Sequence, residues 1–290
     1  MTHTIIIFVF FLELIFFFIP KSHFFGNTLA SKNWHNYYQD PINSYGYHDK
    51  EPCRNHKKTI LFLGDSFTQG HGIKNINDRF SNRLENLNNS FCCINIGKNG
   101  YDTKQEYNAL LDFTAKSKIK PKMIVLQYFG NDIEGVAYSK LSKKNNDPYQ
   151  TLNPVVKLIT KGSYLINYLY WLYPHSDYSP YLNFLKKAYS SKEIINEHYA
   201  DLNKIVDFSK KNRIELKIII FPFLVDPKMS SIIYEEKIEN FFTSKDVEVL
   251  NVSHFLNKID KQLLIVNKND GHASILVNEI VSKELNKLLK

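Results

Sequence analysis

Thr59-Ile60-Leu61-Phe62-Leu63-Gly64-Asp65-Ser66 is the stretch on which the fold turns. Its apolar part is too short for a core helix and lacks the alternation of a strand with one wet face. It reads as a strand buried on both sides that enters a loop at Gly64. The signature returns at Phe91-Cys92-Cys93-Ile94-Asn95-Ile96, closed by Gly97, and at Met123-Ile124-Val125-Leu126-Gln127-Tyr128-Phe129, closed by Gly130-Asn131-Asp132. Residues 216–221 and 247–252 predict a fourth and a fifth strand. Helical spacing fills the intervals at 78–87, 103–116, 194–211 and 231–242, and a last helix is predicted over 274–289. Strands alternating with helices require right-handed crossovers, which predicts an α/β fold with a parallel five-stranded sheet and helices on both faces.

This alternation spans residues 57–290 and is broken by an insertion at about 133–190. The insertion contains Pro148, Pro154, Pro174 and Pro180 and gathers Tyr164, Tyr168, Tyr170, Trp171, Tyr173 and Tyr178. It follows the carboxyl end of the third strand, over the place where open parallel sheets bind ligands. It reads either as a lid or substrate-contact surface, or as a helical pair packed on its own aromatics. Residues 26–56, polar and aromatic without clear periodicity, predict a linker.

From Ile5 to Ile19 every residue is apolar except Glu13, and Pro20-Lys21 closes the run. Apolar side chains at about −0.3 to −0.6 kcal/mol each outweigh one central acid at about 2.5–3.5 kcal/mol on an insertion scale. Residues 1–25 are therefore expected to form a hydrophobic helix that enters a membrane, either as an uncleaved anchor or as a signal peptide. Lys21 and Lys32 follow the run and no Lys or Arg precedes it, which taken alone would keep the remainder cytoplasmic.

Composition narrows the function classes. Hydrophobic residues at 43% and charged residues at 23% exclude a disordered chain and a many-pass membrane protein. The net charge of +8 comes from lysines scattered over the water-facing sides of predicted helices, so no nucleic-acid partner is expected. Cys53, Cys92 and Cys93 suggest neither a disulfide framework nor a metal site, and read as small buried residues. His71 and His198 have no metal-ligand spacing and read as structural or solvated.

Four features fall at one end of the predicted sheet: Ser66 after the first strand, Gly100 after the second, Asn131 after the third, and Asp270-Gly271-His272 before the final helix. Acyl transfer needs a nucleophile, a base, a group orienting the base, and donors for the developing oxyanion. Ser66 supplies a hydroxyl and His272 the side chain that titrates nearest neutrality, with Asp270 close enough to orient it. The backbone N–H groups of Ser66 and Gly100 and the Asn131 amide are the candidate oxyanion donors.

Gly64-Asp65-Ser66-Phe67-Thr68-Gln69-Gly70 resembles the first block of the SGNH, or GDSL-type, hydrolases. Asn95-Ile96-Gly97-Lys98-Asn99-Gly100-Tyr101-Asp102-Thr103 is similar to the second block, Gly130-Asn131-Asp132 to the third, and Asp270-Gly271-His272 to the last. Asn269 stands where the family commonly has its acid, which leaves Asp270, two residues before His272, as the acid. Asn43 to Asp49 is similar to a segment upstream of the first block in membrane-anchored members, with His48 where they often have Arg. The resemblance implies a flavodoxin-like three-layer α/β/α sandwich, no metal or cofactor, and hydrolysis of esters. With the anchor, it suggests an acylated cell-envelope carbohydrate or lipid as substrate, and a catalytic domain on the extracytoplasmic, periplasmic side of the membrane. An O-acyltransferase using the same site, or a non-catalytic membrane-tethered binding module, are the competing expectations.

Overall fold

The computed structural model of the chain describes residues 2–23, 28–53, 58–141, 152–174 and 178–289. The apolar runs are strands β1 (Lys58–Leu63), β2 (Phe91–Asn95), β3 (Met123–Tyr128), β4 (Glu215–Ile220) and β5 (Glu248–Asn251). They form one parallel sheet in the order β2-β1-β3-β4-β5. Ile60, Leu61, Phe62 and Leu63 have no solvent exposure, as a strand covered on both faces requires. This order reverses direction between β1 and β3, so the loops leaving those strands diverge and open a crevice at the carboxyl edge.

The helices lettered in chain order are α1 (Thr2–Phe17), α2 (Leu29–Tyr38), α3 (Ser66–Gln69), α4 (Phe80–Leu87) and α5 (Thr103–Ser117). They continue with α6 (Glu134–Lys140), α7 (Pro154–Gly162), α8 (Tyr164–Tyr170), α9 (Ser179–Ser190) and α10 (Lys192–Asn212). α4 packs with the final helix Ile275–Leu288, and α5 packs with α10, giving the expected three-layer α/β arrangement. α5 begins with a capping box, in which Asp102 accepts from the Gln105 N–H and the Gln105 side chain accepts from the Asp102 N–H.

Several expectations need correction. The stretch read as a linker contains α2, whose Ala30, Ser31, Asn33 and Trp34 are buried and whose Thr28 caps it by accepting from the Ser31 N–H at 3.1 Å. Its mixture of small, polar and aromatic contacts has no apolar periodicity to read. Asp270-Gly271-His272, expected only to precede the final helix, lies on a strand of its own, β7 (Asp270–Ala273), paired antiparallel with β6 (Ile265–Asn267). Cys53 and Cys92 form a disulfide, with Cα atoms 6.0 Å apart, where no framework was expected; buried Cys93 takes no part in it.

The expected membrane span is also revised. α1 is apolar but only 16 residues long, a rise of about 24 Å against a hydrocarbon core of about 30 Å. Among the described residues no helix is long and apolar enough to cross a membrane. Glu13, the single acid of α1, has a structural partner: its carboxylate accepts from the Ser163 hydroxyl at 2.5 Å and the Tyr164 N–H at 2.7 Å, at the start of α8. α8 packs on α1, α2 and α7.

Within the described residues, the helices of the insertion pack on α1 and α2 and on the main core as well as on one another. Phe16 and Phe17 of α1 meet Tyr168 and Tyr164 of α8 at ring distances of 4.7 and 5.1 Å. Trp171 is fully buried against His23. α9 sinks Phe184, Leu185, Ala188 and Tyr189 into the main core. Residues 142–151 and 175–177 of the insertion, including Pro148, lie outside the described residues.

Candidate active site

Ser66 opens α3 directly after β1, where the Asp65 carboxylate caps the turn by accepting from the Phe67 N–H at 2.8 Å. The short strand and the immediate turn leave the Ser66 side chain at the sheet edge, and only 9% of the residue is exposed. His272 arrives from β7, bringing its Nε2 to 2.8 Å from Ser66 Oγ across 206 residues of sequence. Its Nδ1 lies 2.5 Å from Asp270 Oδ1, which also accepts from the His272 N–H at 3.1 Å. A proton on Nδ1, facing the carboxylate, leaves the Nε2 lone pair for the serine O–H.

Electrostatics favour that arrangement. Burial lowers the His272 pKa, against the pull of Asp270, so the ring is neutral at neutral pH. Burial alone would raise Asp270, but its interactions with the His272 and His71 rings hold its carboxyl well below the usual carboxylate range. Asp270 is therefore ionised beside a neutral imidazole. The Phe67 ring, 5.2 Å from the His272 ring, forms one wall.

The predicted oxyanion donors sit less uniformly. Gly100 is an exposed turn residue with φ +75°, and a Cβ placed there would meet nothing within 4 Å, so the backbone angle rather than crowding explains the glycine. Asn131 stands in the turn after β3 and donates from Nδ2 to the Tyr101 carbonyl at 3.1 Å. That bond joins the turn after β3 to the loop carrying Gly100, and the amide retains a second N–H. Beneath them, burial pushes the Asp65 carboxyl up to about 7, opposed by hydrogen bonds from the Phe67 N–H, Gln127 and Asn131.

Two residues near the site escaped the sequence reading. His71, read as structural or solvated, is buried with its ring 4.3 Å from that of His272 and its Nε2 3.4 Å from Asp270 Oδ2. Ser22 hydrogen-bonds the same Asp270 oxygen from the segment after α1. No spacing rule connects positions 248 residues apart, although His71 could have been suspected from its place directly after the first block. His198, by contrast, is structural: it is buried against the Tyr128 hydroxyl at 2.8 Å and its pKa is driven down to about 3 by burial.

Among the described residues, His71, Asp270 and His272 are the group whose ligand atoms lie within 4.8 Å of one another, close enough to hold a metal ion. Of these, Asp270 and His272 are already joined to Ser66 as an acid–base chain, with His71 in contact with Asp270. Asn269, the alternative acid position, instead donates to the Trp171 carbonyl at 2.8 Å. The segment around Asn43 to Asp49 is held by buried Arg79, which pairs with Asp49 at 2.7 Å and donates to the carbonyls of His48 and Gln69. Arg79 so ties that segment to the turn bearing Ser66.

No protein-family model matches the chain, and no curated protein sequence matches it. Solved structures are similar to it in differing degree. A lipolytic protein of the G-D-S-L family from Desulfitobacterium hafniense superposes with a TM-score of 0.50 at 13% identity, over 80% of this chain and 99% of that one. A G-D-S-L family lipolytic protein from Veillonella parvula gives 0.49 at 11% identity, over 79% and 97%. A psychrotrophic esterase from a Pseudoalteromonas species gives 0.47 at 13%, over 80% and 97%. At such identity, the likeness to the first of these is a likeness of fold.

Proposed function

We propose that this protein is a serine ester hydrolase that works through an acyl-enzyme on Ser66. The observation carrying this reading is the continuous chain from Ser66 Oγ to His272 Nε2 at 2.8 Å and from His272 Nδ1 to Asp270 Oδ1 at 2.5 Å. Ser66 Oγ attacks the ester carbonyl carbon as His272 Nε2 takes its proton. The oxyanion is held by the N–H groups of Ser66 and Gly100 and by the Asn131 amide. Collapse breaks the C–O bond, and His272 returns the proton to the leaving alcohol. Water, giving its proton to His272 Nε2, then attacks the acyl carbon; the Ser66 Oγ–C bond breaks, His272 returns the proton to Ser66 Oγ, and the acid leaves. Asp270 holds the ring in the required tautomer and stabilises the imidazolium as it forms.

An acylated cell-envelope carbohydrate or lipid is the proposed substrate. α1 supports a membrane-associated setting rather than a spanning one, since Ile7 and Phe10 are 69% and 70% exposed. The Cys53–Cys92 disulfide fits an oxidising compartment outside the cytoplasm. The direct test is release of acetate from an acetylated oligosaccharide, or of nitrophenol from p-nitrophenyl acetate. The wild type turns over and Ser66→Ala falls by at least roughly a thousandfold. Turnover by Ser66→Ala at the wild-type rate would remove the proposal. Release that requires an acceptor glycan would mark a transferase using the same acyl-enzyme.

A further inference from the structure

The Asp270 carboxylate has two oxygens, and the reaction described above uses only Oδ1. Oδ2 is just as deliberately held: the Ser22 hydroxyl and His71 Nε2 both converge on it, in a pocket where Ser22, His71 and Asp270 are all buried. We propose that Ser22 and His71 are positioning residues for the acid–base pair, which clamp Asp270 through Oδ2 so that Oδ1 stays aimed at His272 Nδ1. This inference rests on the hydrolase reading and assigns part of its machinery to the segment that follows α1.

Both donors are themselves fixed. The Ser22 carbonyl accepts from Asn267 Nδ2 at 2.9 Å, on β6 next to the strand carrying Asp270. One residue earlier, Lys21 Nζ donates to the Trp171 carbonyl at 3.2 Å, the same oxygen that Asn269 Nδ2 reaches at 2.8 Å. His71 Nε2 also lies 3.2 Å from the His23 carbonyl, and its Nδ1 is 3.2 Å from the Asn99 amide. Gly72, with φ +80°, allows this approach: a Cβ there would stand 2.6 Å from Val266 Cγ2 and 3.2 Å from Asp270 Oδ2. Sequence neighbours of both donors are thus shaped around the carboxylate.

The Ser22 hydrogen bond and the His71 charge contact act on Oδ2 in two ways. They prevent rotation of the carboxylate about its Cβ–Cγ bond, and they draw negative charge away from Oδ1. The charged or titratable groups facing this pocket are His272 and His71 on Asp270, with His23, His35 and Lys21 behind His71. Burial holds His23 and His35 neutral, with pKa values of about 3 and about 4. Removing a clamp leaves more charge on Oδ1, makes the His272 ring more basic and moves the acid limb of the activity profile to higher pH.

The test uses the full chain with p-nitrophenyl acetate, comparing wild type, Ser22→Ala, Ser22→Thr and His71→Ala, with a thermal melt of each. Ser22→Ala and His71→Ala are expected to lose roughly ten- to a hundredfold in kcat, with KM within about twofold and the acid limb shifted upward. Ser22→Thr, which keeps the hydroxyl, restores the wild-type profile and separates positioning from a fault in folding. Wild-type kcat and acid limb in both alanine variants, or a loss confined to KM, would overturn the clamp while leaving the hydrolase reading intact. A wild type that neither turns over nor labels with a fluorophosphonate would overturn the hydrolase reading, and the clamp with it.

Discussion

A serine hydroxyl is a poor nucleophile until a neutral base stands within hydrogen-bonding reach, and a buried histidine is such a base only if something holds its tautomer. The contact at 2.8 Å between His272 and Ser66 and the one at 2.5 Å between His272 and Asp270 meet both conditions. Burial lowers the His272 pKa, and the base must be deprotonated to act. The acid limb of kcat/KM is therefore expected below the ordinary histidine value near 6.5. Asp270→Asn removes the charge that raises His272, so its limb moves lower still. The wrong tautomer should also cut kcat by about a thousand- to ten-thousandfold. A pH–rate series on both proteins checks this, and an acid limb above 6.5 in the wild type would speak against His272 as the base.

At the scale of elements, α1 behaves as part of the folded body along one side, through Glu13, Phe16 and Phe17, and as an apolar surface elsewhere. Phe8, Phe10 and Phe11 are 61%, 70% and 57% exposed, and the proposed membrane setting would cover them. The purified chain is expected to float with phosphatidylglycerol-containing vesicles. A Phe8→Ser, Phe10→Ser, Phe11→Ser variant is expected to stay in the dense fraction, with its rate on a soluble ester unchanged. Equal flotation of the two proteins would remove the membrane from this account. The sequence showed that this run is apolar, but not that Glu13 caps α8, because the partner lies 150 residues away.

Across the whole molecule, what could be read from the sequence was what local chemistry dictates. Each core strand is an apolar run cut off at its end, so all five were legible, and with them the sheet edge on which Ser66, Gly100 and Asn131 lie. The final helix was legible through its spacing, and Asp270-Gly271-His272 through its position before that helix. α2 was not, since Trp34 and its small neighbours bury a face without apolar repetition. Nor were the Cys53–Cys92 bridge and the grip of Ser22 and His71 on Asp270, which depend on how the chain returns upon itself.

The sheet matters to function because it brings β1, carrying Ser66 at its end, alongside a hairpin that is late in the chain and carries His272. If that meeting activates the hydroxyl, an active-site phosphonylating reagent should find Ser66 among all the serines. A fluorophosphonate probe followed by intact-mass and peptide analysis is the most direct measurement. One adduct on Ser66 is expected in the wild type, none in Ser66→Ala, and strongly slowed labelling in His272→Ala. An unlabelled wild type, or labelling that persists in Ser66→Ala, would contradict it.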